Sequence, residues 1–189
     1  MKFRNRFAVF VIMMCSCSLG SYAQKSTIIG INAIAQLADG LAHPGVGATI
    51  ERKFSRHVGV ESGLYYLTYR NEFYFLIYGP DPESIPVKVL ESYLSLPILF
   101  KYYSRIVNVS IGPTFDAYLG YRTTDRNSDV LITNHNVSPA ISATAIIKIS
   151  KTITLRDNLV LEPEVRYGQN VTYEGNFAGF GLAMKYKIR

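Results

Sequence analysis

The chain has no tryptophan, three histidines and two cysteines, and both cysteines, Cys15 and Cys17, lie near its start. Beyond them no disulfide, Cys-based metal site or thiol nucleophile can be built. His43, His57 and His135 are scattered and belong to no catalytic or metal motif. No apolar run reaches the roughly 20 residues that a helix needs to cross a bilayer. No low-complexity tract, Gly/Ser linker or block of like charge divides the chain. The formal net charge of +6 is spread rather than clustered, which argues against a nucleic-acid partner.

What is present begins with Lys2, Arg4 and Arg6, the apolar stretch Phe7–Met14, and the small residues that end at Ser21-Tyr22-Ala23. That order predicts a secretory signal peptide over residues 1–23, cleaved after Ala23. Lipid attachment at Cys17 is disfavoured, because Met14-Cys15-Ser16 is a poor lipobox. The mature domain is then 24–189, or 166 residues (189 − 23), with 17 Lys and Arg (20 − 3) against 14 acids. Its length fits one domain.

Across that domain apolar residues recur at every second position, and helical periodicity is not convincing anywhere. In Val107–Tyr121 all the odd positions are apolar, from Val107, Val109 and Ile111 to Leu119 and Tyr121, while the even positions are small or polar. The pattern predicts eight strands, over 26–37, 45–54, 57–70, 87–103, 106–121, 137–155, 159–170 and 176–188. Three connections are tight (Ser55-Arg56, Ser104-Arg105 and Arg156-Asp157-Asn158). The other four are read as longer loops over 38–44, 71–86, 122–136 and 171–175. The fold class is therefore all-β: an eight-stranded antiparallel up-and-down barrel, with short turns at one end and longer loops at the other.

Alternation does not say which face meets water; three features do. Glycine crowds the polar face, where it weakens a strand without benefit on an open surface but makes room inside a narrow lumen. Aromatics sit near both ends of the apolar face, Phe54, Tyr102 and Tyr186 at the turn end and Tyr66, Tyr121 and Tyr167 at the loop end, like the two girdles of a membrane barrel. The polar face also carries both charge signs, as a closed lumen requires of groups that must pair. The expectation is a transmembrane barrel with Glu51, Glu61, Glu91, Lys101, Asp116, Lys148, Glu162, Glu164, Arg166 and Lys185 as a lumen charge network. Such a lumen is filled by side chains and forms no pore.

Outside the lumen, Arg70–Pro86 is the segment best suited to touch a partner. Phe73, Tyr74, Phe75 and Tyr78 make it a candidate binding loop, unless the strands simply extend and carry these aromatics upward. The run Asp125, Asn127, Asp129 opens like a calcium loop but has Val130 at the sixth position and Asn136 at the twelfth. Asn136-Val137-Ser138 is a glycosylation sequon by pattern alone. Glu162 and Glu164 share a face, yet a salt network with Arg166 and Lys185 accounts for them without acid/base chemistry.

The stretches Gly47–Tyr66, Glu91–Ser104, Val107–Tyr121 and Leu159–Gly168 resemble the PorT-type outer-membrane β-barrel domain family, related in architecture to small OmpA-like barrels. The resemblance spans about 24–189; its specific marks are Tyr93–Tyr103, Gly112-Pro113, Glu162-Pro163 and Arg166-Tyr167-Gly168. It implies the barrel fold and a place in the outer membrane of a Gram-negative-type envelope, and little chemistry. Taken together, the residues lead to the expectation of a monomer with both termini in the periplasm and a structural or binding role, without catalysis or cofactor, whose partners are outer-membrane lipid and an envelope or secretion-system protein. Two rivals stay open: a lipid-modifying enzyme using His43 and His135, and a secreted lipocalin-like carrier with the faces reversed.

Overall fold

The computed structural model describes residues 26–38, 40–77, 83–123, 139–172 and 175–188, with side chains for all of these except 73, 75–77 and 83–85. The signal segment 1–23, Tyr78, the calcium-like run 125–129, His135 and the 136–138 sequon lie outside the described residues.

The strands are β1 (Ser26–Ala38), β2 (Leu41–Lys53), β3 (Val58–Ile77), β4 (Glu83–Tyr103), β5 (Asn108–Thr123), β6 (Ile141–Ser150), β7 (Ile153–Thr154), β8 (Leu159–Asn170) and β9 (Asn176–Ile188). From β1 to β6 and from β7 to β9 each strand pairs antiparallel with the next, β1 closes on β9 and β6 closes on β8. The result is a ring of eight strands, with β7 as a two-residue extension beside β8. Ser26 pairs with Lys53 and Thr27 with Ile188, so both ends of the described barrel lie with the tight turns. Ser104 holds one of those turns, its Oγ accepting from the N–H groups of Ile106 (3.2 Å) and Val107 (3.1 Å).

Several expected boundaries are corrected. The loop at 38–44 is a two-residue connection: Ala38 pairs with Leu41, and Gly40 takes φ +76°, which only glycine adopts freely. His43 is thereby a β2 residue rather than a loop residue. The sixth strand breaks after Ser150, although its register continues from Ser150–Glu164 to Ile153–Leu161. Lys151 donates to the carbonyl of Pro163 at 3.1 Å, but proline has no N–H to return the bond, so the ladder lapses there.

Three residues of the candidate binding segment lie on a strand rather than in a loop. Phe73, Tyr74 and Phe75 belong to β3 and pair with Val87, Pro86 and Ile85 of β4. Past Asn71–Val89 the hairpin has no flanking strand among the described residues, because β2 starts and β5 ends at that level. Six residue pairs, from Glu72–Lys88 to Ile77–Glu83, therefore project about 20 Å by strand rise.

One register shift moves a side chain to the other face. Tyr118 pairs with Tyr93 but Gly120 pairs with Ser92, leaving Leu119 as an extra residue. Gly120 takes φ +147° at this bulge. Beyond it the phase inverts, and Tyr121 pairs with inward-facing Glu91. Tyr121 therefore leaves the outer aromatic girdle, while Phe54, Tyr66, Tyr102, Tyr167 and Tyr186 remain exposed on the outer face.

The barrel is apolar outside and polar inside. Ile31 is 67% exposed, Val165 64% and Ile111 57%, whereas Lys101 is 0% and Lys148 1% exposed. Small residues on the lumen face give the larger ones their space: a Cβ on Gly47 would stand 2.6 Å from the Tyr65 ring. A continuous outer wall of Ile, Leu, Val and Phe far exceeds the apolar patches that soluble monomers expose.

Candidate functional site

The lumen has two zones. In the turn-end zone, four carboxylates from β2, β3 and β8 meet four cations from β4, β6, β8 and β9. Inward alternation on six different strands aims them all at the axis. Lys101 Nζ lies 2.8 Å from Glu51, 3.2 Å from Glu61 and 2.5 Å from Glu162. Lys185 Nζ lies 3.0, 3.2 and 2.8 Å from the same three carboxylates. Lys148 pairs with Glu61 and, at 3.1 Å, with Glu164, which also holds Arg166.

Hydroxyls complete this zone. Tyr103 donates to Glu51, Ser150 donates to Glu162 at 2.5 Å, and Asn32 bridges Tyr65 and Glu164 at 3.1 and 3.3 Å. Four formal negatives face four positives, so the cluster is neutral as a whole. Low exposure with mutual pairing is the condition under which buried charges are tolerated. Above it, Ile34, Tyr65 and Leu67 form an apolar layer, beside a cavity of about 20 Å³, room for about one water.

The loop-end zone is aromatic. His43, Tyr69, Tyr93 and Tyr118 form a train of rings with centroids 4.6, 5.4 and 5.5 Å apart. Tyr69 donates to Gln36, Tyr93 donates to Glu91 at 2.7 Å, and Asp116 accepts from Thr144 at 3.3 Å. A cavity of about 240 Å³ opens here, lined by Tyr69, Glu91, Tyr93, Asp116, Asn170 and Phe177 among others.

Eight of the ten residues read as a lumen charge network thus converge in one cluster. Glu91 and Asp116 also point inward but sit in the aromatic zone, outside that cluster. Sequence reasoning missed the neutral partners, Asn32, Gln36, Tyr65, Tyr69, Tyr103 and Ser150. Each occupies an inward-phase position, and that phase was the available signal. His43 is 3% exposed, and its Nδ1 accepts from the Arg70 N–H at 3.3 Å, so it faces the lumen and not the outer wall. His57 lies in a turn, with its Nδ1 3.1 Å from the carbonyl of Tyr103. Among the described residues no group of three or more His, Cys, Asp or Glu is arranged to hold a metal ion.

Neither a scan of protein-family models nor a search of curated proteins gave a match. Solved structures do match. OprG of Pseudomonas aeruginosa aligns with a TM-score of 0.59 at 12% identity, over 90% of this chain and 98% of that one. Ail of Yersinia pestis in complex with the heparin analogue sucrose octasulfate aligns at 0.47 and 12%, over 87% and 97%. AlkL, solved in DMPC lipid bilayers, aligns at 0.45 and 12%, over 90% and 93%. At 12% identity the likeness to OprG establishes the fold, and this chain has the eight-stranded antiparallel β-barrel architecture of small outer-membrane proteins.

Proposed function

We propose that this chain is a monomeric integral protein of a Gram-negative-type outer membrane, exported by residues 1–23, with its termini in the periplasm. The observation that carries the reading is the reversal of faces: eight paired charges are buried in the lumen while the outer wall is predominantly apolar. A soluble lipocalin-like barrel needs the opposite arrangement. The fold shared with OprG supports the same location, as does the PorT-type resemblance.

Among the described residues the neutral charge cluster fills the turn end of the lumen, which favours a role other than that of a solute pore. His43 lies inside the barrel, away from any lipid on its wall, which speaks against the lipid-modifying enzyme. The role left is structural or binding, and the projecting β3–β4 hairpin with Tyr74 is the surface offered to an envelope or secretion-system protein. Two measurements on cells expressing the full chain test this. The protein should fractionate with outer membranes, and a protease added to intact cells should cut the projecting β3–β4 hairpin while sparing a C-terminal tag. Recovery in the soluble periplasmic fraction contradicts the proposal.

A further inference from the structure

On the outer face of β3, β4 and β5, near the loop end, the apolar wall gives way to a groove of about 480 Å³ lined by Thr68, Leu90, Ser92, Leu119, Tyr121 and Arg122 among others. Its construction follows from the registers. Tyr66, Leu94 and Ala117 make one cross-strand row; Thr68, Ser92 and Gly120 make the next; Arg70, Leu90 and Arg122 make the third. The middle row is all small, so it sinks below its neighbours. The Leu119 bulge and the φ of +147° at Gly120 place glycine in that row, and the phase shift they cause is what turns Arg122 outward. Without the bulge Arg122 would face the lumen.

Arg70 and Arg122 are both exposed and stand one strand apart on either side of Leu90, about 10 Å between backbones at ordinary strand spacing. Neither forms an ion pair with the described residues. Below them the Tyr66 hydroxyl and Ser92 Oγ are 2.7 Å apart, which adds hydroxyl groups to the floor. An arginine on a lipid-facing wall is destabilising near mid-membrane and tolerated at the interface. Two of them at one level, just above the girdle residue Tyr66, call for anionic groups at that level.

We propose that this groove binds the phosphate of an anionic membrane lipid. Arg70 and Arg122 clamp the phosphate oxygens, whichever hydroxyl of the Tyr66–Ser92 pair keeps its hydrogen free donates from below, and the acyl chains run down past Leu119 and Leu94; the Thr68 hydroxyl is taken up by the carbonyl of Pro44 at 3.3 Å. Both guanidiniums present planar forks suited to phosphate oxygens. This inference rests on the membrane location proposed above.

The test is to refold the mature chain in vesicles of phosphatidylcholine and phosphatidic acid in equal amounts, and to read the retained lipid by native mass spectrometry. The wild type should retain phosphatidic acid over phosphatidylcholine by about tenfold, the order expected for one charge-assisted hydrogen-bonding group. Arg70→Gln with Arg122→Gln should bring the ratio near one, while Arg52→Gln, on the outer face at the turn end, should leave it unchanged. If the double variant does not fold, the single variants and the wild-type ratio still decide. A folded wild type without lipid preference overturns the inference and leaves the membrane reading intact. Failure to insert into any vesicle overturns both. Displacement of the lipid by millimolar inorganic phosphate shows a site for soluble phosphate and overturns the assignment to lipid.

Discussion

The two ends of the lumen are built from the same alternation but solve different problems. At the turn end, eight charged side chains fill the section and are ion-paired with one another, so removing one leaves a buried partner short of its counter-charge. At the loop end, His43, Tyr69, Tyr93 and Tyr118 stack as amphipathic rings beside a 240 Å³ cavity, and the polar tips of His43, Tyr69 and Tyr93 each have a local partner. The first zone is a cooperative plug and the second is a tolerant vestibule. The difference teaches that a small barrel can place its closure and its open, substitutable surface on different levels of one wall.

Substitutions at matched depth should expose that difference, and the largest effect belongs to the plug. Lys101→Met leaves Glu51, Glu61 and Glu162 each short of one cation, and should cost about 3 to 5 kcal/mol. Urea titration of the folded, faster-migrating gel band in vesicles measures it. Pairing it with Glu162→Gln restores neutrality and should recover part of the loss; an additive double variant would show that the charges do not act as a unit.

The wall provides the reference for both zones. Ile111→Lys puts a charge on the lipid face and should cost about 2 to 4 kcal/mol if that site is near mid-membrane, whereas Ser110→Thr on the lumen side should change the same titration little. Gly120→Val forces a β-branched residue into φ +147° and should cost about 1 to 3 kcal/mol. A neutral result there would mean the bulge shifts or dissolves. The smallest effect is expected in the vestibule: Tyr93→Phe removes the donor to Glu91 while keeping the ring, and should cost about 1 kcal/mol. A loss equal to that of Lys101→Met would erase the distinction between plug and vestibule.

Much of this architecture was legible because one face of each strand is polar. Glu51, Glu61, Lys101, Lys148, Glu162, Glu164, Arg166 and Lys185 are all in phase with their strands, and phase alone sends them to the same axis. What was not legible has local causes. Residues 73–77 are apolar on both faces, so alternation cannot show that β3 continues to Ile77, although their aromatic and β-branched character favours a strand. Asp39-Gly40 is a two-residue hairpin signal, obscured by Pro44, which reads as a loop residue but sits on β2. Tyr121 carries no mark of its inversion, since the bulge is a property of the pairing between Leu119-Gly120 and Ser92. The ladder lapse at Lys151 comes from Pro163 on the opposite strand, beyond the reach of any reading of β6 alone.

The assignment of faces carries every other statement, and one measurement bears on it directly. The mature chain is refolded in parallel into lipid vesicles and into detergent-free buffer, then run unheated on a gel and by size exclusion. The account predicts a compact, heat-modifiable band in vesicles and aggregation in buffer, because the apolar wall that includes Ile31, Ile111 and Val165 has no other solvent. A folded, soluble monomer in buffer would contradict it.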